Sequence, residues 1–302
     1  MKNSKSVSAF TFEPIVAVNG VIGAGVSPLD RGFNYGDGLF ETVRLDSCSG
    51  RAYLPLWSLH RRRLLDSCSR LLISLDPERL DSAVEQLLQQ AVSHNIEQAV
   101  VKVVVSRGVG GRGYLAPESI LATLCVGLYP PAVNSLANVQ EGVHLHLCQQ
   151  RLSSNSSLAG MKHLSKLEYV LARSEWRDKP LAEGVLLDAA GNVVEGTFSN
   201  VFVVLEGKLL TPALLECGVA GVMRRLILDV LAPKLGVVVL ESDISLVELE
   251  AADEVFTCNS VCGIWPALSL SGAVLKCGWH RGALTIRLQA ELDTHLLELA
   301  RA

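Results

Sequence analysis

Hydrophobic positions along the chain follow two spacings, and each spacing predicts a different kind of element. Short apolar or alternating runs predict half-buried or buried strands. The first run, Ile15–Val18, is followed by Asn19-Gly20 and then Val21-Ile22. This order predicts a hairpin, because Asn-Gly readily adopts the positive φ angles of a tight turn. Further strands are predicted at Leu39–Leu45, Ala99–Arg107, Ile120–Leu128, Val143–Leu147, Gly184–Asp188, Asn200–Leu205 and Glu254–Thr257.

Apolar residues three and four positions apart predict the helices. Leu54–Ile73 carries such a stripe, and the next helix has a clear start. There, Asp76 is suited to cap the first turn and Pro77 fits the first helical position. The glycine-rich stretch Asp30–Gly38 is predicted to be a loop. Further helices are predicted at Ser165–Asp178, Gly221–Leu231 and Gly282–Arg301.

The best linker candidate begins at Pro130-Pro131 and continues as a polar run to Gln140. Strands and helices alternate irregularly on both sides of it, and no internal repeat is visible. We therefore predict an α+β protein of two domains. A smaller N-terminal α/β domain covers residues 1–132, and a larger, strand-rich C-terminal domain covers residues 133–302.

Composition narrows the class of protein. Of the 302 residues, 49% are hydrophobic and 19% charged, which is typical of a globular chain. The net charge of -4 and the absence of a basic stripe argue against a nucleic-acid partner. The N-terminal residues 1–6 lead into no signal-peptide core, and no apolar stretch is long enough to span a membrane. The eight cysteines are scattered, as in a protein with reduced thiols. We expect a soluble, cytoplasmic protein.

Two short motifs suggest binding sites, but their context does not support them. Gly108–Gly113 matches G-x-G-x-x-G after a strand, yet another strand follows where a dinucleotide fold requires a helix. Two interpretations of this stretch remain, a flexible loop and a substrate-facing loop that carries Arg107 and Arg112. His144 and His146 share one face of a strand, but no further ligand lies at a metal-site spacing. We predict no metal site.

Two residues are candidates for chemistry. Lys162 lies among small and apolar residues, within Leu158–Leu164. It is either an edge lysine whose stem covers apolar surface or an amine that desolvation makes nucleophilic toward an aldehyde. Glu195 precedes the strand that begins at Asn200. It is either a solvated turn residue or a carboxylate that hydrogen-bonds a ring nitrogen. Taken one at a time, these residues leave both interpretations open.

Read in order, the motifs resemble the fold-type IV pyridoxal-phosphate enzymes, a family of branched-chain aminotransferases, D-amino-acid aminotransferases and 4-amino-4-deoxychorismate lyases. The resemblance begins with the run Asp30–Glu41 (DRGFNYGDGLFE) and extends from about Val16 to Trp265. It implies that Lys162 forms a Schiff base with pyridoxal 5′-phosphate and that Glu195 is the partner of the pyridine nitrogen. It also implies phosphate contacts from Arg63, in His60–Leu64, from the helix start at Val222 and Met223, and from Asn259 and Ser260.

Two stretches are similar to the lyases within this family. Arg107–Tyr114 (RGVGGRGY) resembles the lyase run R-G-x-G-G-R-G-Y, and Lys162–Glu168 (KHLSKLE) resembles K-H-L-N-R-L-E, with Ser165 in place of the asparagine. The resemblance implies that the chain converts 4-amino-4-deoxychorismate to 4-aminobenzoate and pyruvate, with Arg107, Arg112 and Tyr114 as substrate-binding residues. A homodimer is also implied. The alternatives are an aminotransferase of the same fold and a binding module without turnover.

Overall fold

The computed structural model of the chain describes residues 12–131, 135–177, 179–273 and 277–301. Their strands are β1 Ile15–Val18, β2 Val21–Ile22, β3 Gly38–Cys48, β4 Arg51–Tyr53, β5 Gln98–Ser106, β6 Thr123–Tyr129, β7 Val143–Leu152, β8 Glu183–Asp188, β9 Val193–Gly196, β10 Asn200–Leu205, β11 Lys208–Thr211, β12 Val239–Glu241, β13 Glu254–Asn259, β14 Gly263–Ser271 and β15 Cys277–Gly278. Their helices are α1 Arg31–Tyr35, α2 Trp57–Arg70, α3 Pro77–Ser93, α4 Ser135–Glu141, α5 Leu167–Ser174, α6 Val222–Leu226, a π-helix Ile227–Leu231, α7 Ala232–Lys234, α8 Leu246–Glu250 and α9 Ala283–Arg301.

The first sheet has the strand order β2-β1-β6-β5-β3-β4, and every pairing in it is antiparallel. The predicted hairpin is confirmed, since Val18 pairs with Val21 and the turn residues Asn19 and Gly20 have φ angles of 52° and 83°. Because these strands are antiparallel, the first part of the chain is an antiparallel sheet with helices packed on it, within the predicted α+β fold.

Helices α2 and α3 pack on one face of this sheet. The alternate residues Val101, Val103 and Val105 of β5 are fully buried in the core that the helices cover. The predicted start of α3 is confirmed, because the Asp76 side chain accepts a hydrogen bond from Glu78 N and Pro77 begins the helix. The other face of the sheet is left free to form one wall of a site.

The second sheet is larger and mixed, with the order β12-β11-β10-β13-β14-β7-β8-β9 and β15 beside β14. Neighbours β7 and β8 run parallel, as do β14 and β7, whereas β10, β13 and β14 are antiparallel. Apolar clusters cover both faces, so strands such as β10 are buried nearly throughout. The smaller first sheet and larger second sheet confirm the predicted two-part α+β fold.

Several predictions need correction or concern residues outside the described part of the chain. The predicted loop Asp30–Gly38 contains α1, which Asp30 caps at its start and Gly36, at φ 66°, ends in a left-handed conformation. The linker candidate contains α4, and the helix predicted over Gly221–Leu231 changes from α to π at Ile227. The domain boundary at 132/133, the N-terminal residues 1–6 and the last residue of the helix predicted over Ser165–Asp178 lie outside the described residues. In the part of the chain that the structure describes, no helix has both the length and the apolar character to cross a membrane.

We predict that Asp76→Ala lowers the free energy of unfolding by about 1 kcal/mol, because the first turn of α3 loses its side-chain acceptor. Urea unfolding of the apo-protein measures the effect. Asp66→Ala is the matched control, since Asp66 is an exposed residue of α2 away from its ends. A loss no larger than that of the control would contradict the assigned cap.

Candidate active site

A short segment that carries Lys162 lies between the two sheets and is hydrogen-bonded on both sides. Toward the second sheet, Gly160 N donates to Gly218 O at 2.9 Å and Ala220 N donates to Gly160 O at 3.0 Å. Toward the first sheet, Phe40 N donates to Lys162 O at 2.9 Å. The backbone of the lysine is therefore fixed by both halves of the protein.

The side chain of Lys162 is partly buried and has no carboxylate partner in the described part of the chain. Its Nζ lies 4.5 Å from the centroid of the Phe40 ring, and no ion pair to Lys162 occurs among the described residues. Burial, reinforced by the nearby guanidinium of Arg63, lowers the pKa of Lys162 to about 8. A substantial fraction of the amine is then unprotonated near neutral pH, which suits a nucleophile.

Arg63 lies next to the lysine and is held by a buried carboxylate. Its Nε and Nη2 donate to both oxygens of Glu41, at 2.8 and 2.5 Å, and His60 Nδ1 donates to Glu41 at 2.7 Å. Burial alone would raise the pKa of Glu41, but Arg63 and His60 outweigh it and lower this pKa to about 2. Glu41 is therefore ionised. Its oxygens bond to Arg63 and His60, and it forms no ion pair with Lys162.

The guanidinium of Arg63 also reaches the start of a helix. Its Nη1 donates to Ala220 O at 2.9 Å, two residues before α6 begins at Val222. The N-cap residue Gly221 offers no side-chain acceptor, so the amides of the first turn, including those of Val222 and Met223, have none of the usual capping partners. Free amides beside an arginine form a site for a phosphate group.

Glu195, at the end of β9, is fully enclosed, with 3% of its surface exposed. Its Oε1 accepts from the Tyr169 hydroxyl at 2.5 Å, and its Oε2 accepts from Val219 N at 3.0 Å and Asn200 Nδ2 at 3.3 Å. Burial raises the pKa of Glu195, and the ammonium of Lys166 partly offsets this rise. The interpretation of Glu195 as a solvated turn residue does not fit this environment.

A second buried carboxylate, Glu183, fixes the turn that follows Glu195. Its oxygens accept from Thr197 N and Phe198 N, at 3.0 and 3.2 Å, and from the hydroxyl of Ser199 at 2.7 Å. Sequence reasoning missed Glu183 because its role depends on residues of a later turn. It sets the path of the chain between β9 and β10.

Asn259 and Ser260 form the turn after β13. The side-chain oxygen of Asn259 accepts from the amides of Val261 and Cys262, at 2.9 and 2.7 Å. The hydroxyl of Ser260 donates to Thr42 O of the first sheet at 3.3 Å. These bonds shape the turn and tie it to β3. The predicted phosphate contacts of the two residues stay a prediction.

Arg107 is held by contacts within the chain. Its Nε donates to Asp37 at 2.8 Å, and its Nη1 and Nη2 donate to Leu72 O and Leu71 O, each at 2.8 Å. All three guanidinium nitrogens are thus used inside the chain. These contacts fix the base of the Gly108–Gly113 loop, and the substrate-binding role of Arg107 stays a prediction.

The tip of this loop rests on α1. Arg31 donates to Gly113 O at 3.0 Å and to Tyr114 O at 2.9 Å, and the Tyr35 and Tyr114 rings meet edge to face. Within the described residues, Arg112 and Tyr114 make no hydrogen bond or ion pair to Lys162 or Glu195 through their side chains. Both are exposed. The structure therefore does not bring them to the lysine of their own chain.

Lys102 is a cation that sequence reasoning did not select. It lies on β5, on the face of the first sheet that carries Phe40, and its Nζ is 5.6 Å from the Phe40 ring centroid. The same ring contacts Lys162. In the described chain, Lys102 has no ion-pair partner, whereas most other basic side chains near the site do.

The two histidines of β7 behave as strand-face residues. His144 Nδ1 lies 2.8 Å from the Ser269 hydroxyl, and His146 Nε2 lies 3.2 Å from a carboxylate oxygen of Glu175. No group of three or more ligating side chains suited to a metal ion occurs among the residues that the structure describes.

The side chains around Lys162 match the three functional parts of pyridoxal 5′-phosphate. An amine with a lowered pKa suits its aldehyde, and Arg63 with the open amides of α6 suits its phosphate. The enclosed carboxylate of Glu195 suits its ring nitrogen. The donor set therefore fits the cofactor that the sequence resemblance implies.

Comparison of the whole chain with known proteins finds similar sequences and structures. The amino-transferase class IV family matches residues 38–270. An aminodeoxychorismate lyase from Vibrio harveyi is 36% identical over 92% of this chain and 99% of its own length. A crystal structure of 4-amino-4-deoxychorismate lyase from Pseudomonas aeruginosa has 41% identity and a TM-score of 0.83, covering 93% of this chain and 98% of that one. A putative branched-chain-amino-acid aminotransferase from Methanocaldococcus jannaschii is 31% identical over 84% of this chain and 85% of its own.

We predict that Glu41→Gln removes a large part of the acid sensitivity of the apo-protein. Because the pKa of Glu41 is about 2 when folded and near 4.5 when unfolded, its contribution is complete above pH 5 and is lost as the pH falls toward 2. This contribution is on the order of 3 kcal/mol. Urea unfolding between pH 3 and 7 measures it, with the exposed Glu85→Gln as control. Parallel stability curves for wild type and Glu41→Gln would contradict the assignment.

Proposed function

Because the chain belongs to the amino-transferase class IV family, we propose that it is a pyridoxal-phosphate-dependent lyase. Its substrate is 4-amino-4-deoxychorismate, and its products are 4-aminobenzoate, a folate precursor, and pyruvate. The observation that carries the proposal is the amine of Lys162, which lies between Arg63 and Glu195 without a carboxylate partner. Similarity to lyases over nearly the whole chain supports the choice of reaction.

Each residue of the site has a defined task. Arg63 and the amides of Val222 and Met223 hold the phosphate, and Glu195 accepts the hydrogen bond of the ring nitrogen. Asn259 and Ser260 complete the phosphate pocket through their turn. Bound there, the cofactor supplies an aldehyde that takes up amines and a ring that withdraws electrons from the attached carbon.

Lys162 has two tasks in succession, as nucleophile and as base. After the substrate amine has displaced it, its free Nζ, with a pKa lowered to about 8, takes the proton from the ring carbon that bears the substrate amine. The C–O bond of the enolpyruvyl group on the neighbouring carbon would then break with its electron pair on the oxygen, which would receive the proton held by Nζ. The ring would become aromatic, and the released enol would become pyruvate. An aminotransferase of this fold would need a keto-acid acceptor instead.

The substrate carries two carboxylates, and Lys102 and Arg112 are cations that form no ion pair among the described residues. Lys102 lies beside the Phe40 ring, which Lys162 also contacts, and Arg112 is exposed on the Gly108–Gly113 loop. We assign Lys102 to the site of its own chain. We assign Arg112, with Tyr114, to the site of a second copy, because neither bonds to the site residues of its own chain.

An exposed apolar surface supports a homodimer. Leu29 and Phe33 are 70% and 78% exposed, and Leu167, Val170 and Leu171 of α5 form a further exposed stripe. The surface is continuous, since α1 packs against the segment just before α5. Neighbouring exposed apolar side chains of this kind are typical of a protein interface. A second copy of the chain is the proposed occupant.

The proposed location is the cytoplasm. Seven of the eight cysteines, all except Cys277, are seen as free thiols, and most of these seven are wholly or partly buried. Free thiols persist best in a reducing compartment.

The decisive experiment is an assay of the purified enzyme with 4-amino-4-deoxychorismate. We expect 4-aminobenzoate and pyruvate in equal amounts without any added keto acid. Lys162→Ala should lose both products and the yellow colour of the bound cofactor. D-alanine or leucine with 2-oxoglutarate should react weakly at most. Faster transamination without 4-aminobenzoate would establish the aminotransferase instead, and cofactor retention with no turnover would establish a binding module.

Mixed dimers test whether Arg112 serves the partner site. Arg112→Ala and Lys162→Ala protomers are co-expressed with different tags and purified together. We expect the mixed dimer to regain about half the wild-type activity, because one of its two sites combines an intact Lys162 with the partner's intact arginine. A mixed dimer of Lys162→Ala and Glu195→Gln has no intact site and serves as the control. No recovery in the first pair would exclude a role of Arg112 in the partner site.

A further inference from the structure

The two oxygens of Glu195 have unequal sets of donors. Oε2 accepts from Val219 N and Asn200 Nδ2, which together use its two lone pairs. Oε1 accepts from one donor of the described chain, the hydroxyl of Tyr169 at 2.5 Å. Oε1 therefore keeps one lone pair and is the oxygen that can accept the ring N–H of the cofactor. Tyr169 bonds to that same oxygen.

Tyr169 is suited to remain a donor. It lies in the first half of α5, and burial together with the negative charge of Glu195 raises its pKa, so the phenol keeps its proton. The ammonium of Lys166 lies 4.2 Å from the centroid of its ring. The other acidic groups that face it are Glu168 and the thiol of Cys217, and neither accepts a hydrogen bond from the hydroxyl.

We propose that Tyr169 is a positioning residue whose hydroxyl fixes Oε1 of Glu195 and holds this carboxylate in its anionic form. The proton between Glu195 and the cofactor ring then stays on the ring nitrogen. A donor to a buried carboxylate stabilises the charged form, and the effect is strong where water is excluded. Without it, burial favours transfer of the proton to Glu195. The inference rests on the proposed function, since it takes pyridoxal phosphate as the group that faces Glu195.

The test is Tyr169→Phe, which removes the hydroxyl and keeps the ring. The first readout is the ¹⁵N chemical shift of the ring nitrogen, measured with ¹⁵N-labelled pyridoxal phosphate on the enzyme without substrate. We expect it to move toward the value of an unprotonated pyridine. The second readout is kinetic. We expect kcat to fall by about 10- to 100-fold with KM and cofactor affinity nearly unchanged, as for loss of a hydrogen bond to a charged group.

Two further variants separate this role from a structural one. Tyr53→Phe removes a hydroxyl on β4, in the first sheet, and should change neither the ¹⁵N shift nor kcat. Site-specific 3,5-difluorotyrosine at position 169 is a more acidic donor and should keep the nitrogen protonated, with kcat near wild type. Thermal melting confirms that each protein is folded.

An unchanged ¹⁵N shift in folded Tyr169→Phe would overturn the proposal, even if kcat were reduced. A shift that moves in Tyr53→Phe as well would also overturn it. The NMR readout needs no turnover. If the wild type formed no 4-aminobenzoate, the proposed reaction would fail while the shift would still decide the role of Tyr169.

Discussion

A reactive lysine must be shielded from water and also from carboxylates, because a paired ammonium keeps its proton. The site of this protein meets both conditions. Glu41 and Glu195 both lie close enough to affect the pKa of Lys162, yet each is occupied by donors of its own. Arg63 neutralises the charge of Glu41, and His60 donates a further hydrogen bond to it. The Phe40 ring contacts the amine without offering it a charge.

This constraint explains why so many polar groups are buried around one amine. Glu41, Glu183 and Glu195 are all enclosed, and burial without partners would be costly for each. Each of them accepts several hydrogen bonds from the chain. Glu41 positions Arg63, Glu183 positions the turn before β10, and Glu195 is held in place by Tyr169, Asn200 and Val219. Stability and reactivity thus depend on the same contacts.

The order of motifs along the chain was enough to predict Lys162, Glu195 and the hairpin and capping signals of the fold. The sequence did not allow contacts between residues far apart in the chain to be predicted. The contact of Arg107 with Asp37 could not be predicted because Asp37 lies far from it in the sequence. Sequence reasoning did not select Tyr169 and Lys102, because their contacts depend on the folded structure. Tyr169 reaches Glu195 from helix α5, and Lys102 lies beside the Phe40 ring on the first sheet. The helix α1 was not predicted because the stretch Asp30–Gly38 is rich in glycine, although Asp30 and Gly36 are suitable caps.

The backbone around Lys162 joins the two sheets, since Phe40 bonds to it from one side and Gly218 and Ala220 bond to Gly160 from the other. A hinge motion that separated the two halves would break these bonds and displace the amine. The position of the amine therefore depends on the relative placement of the two sheets, and any change in that placement would also change the surroundings of Lys162.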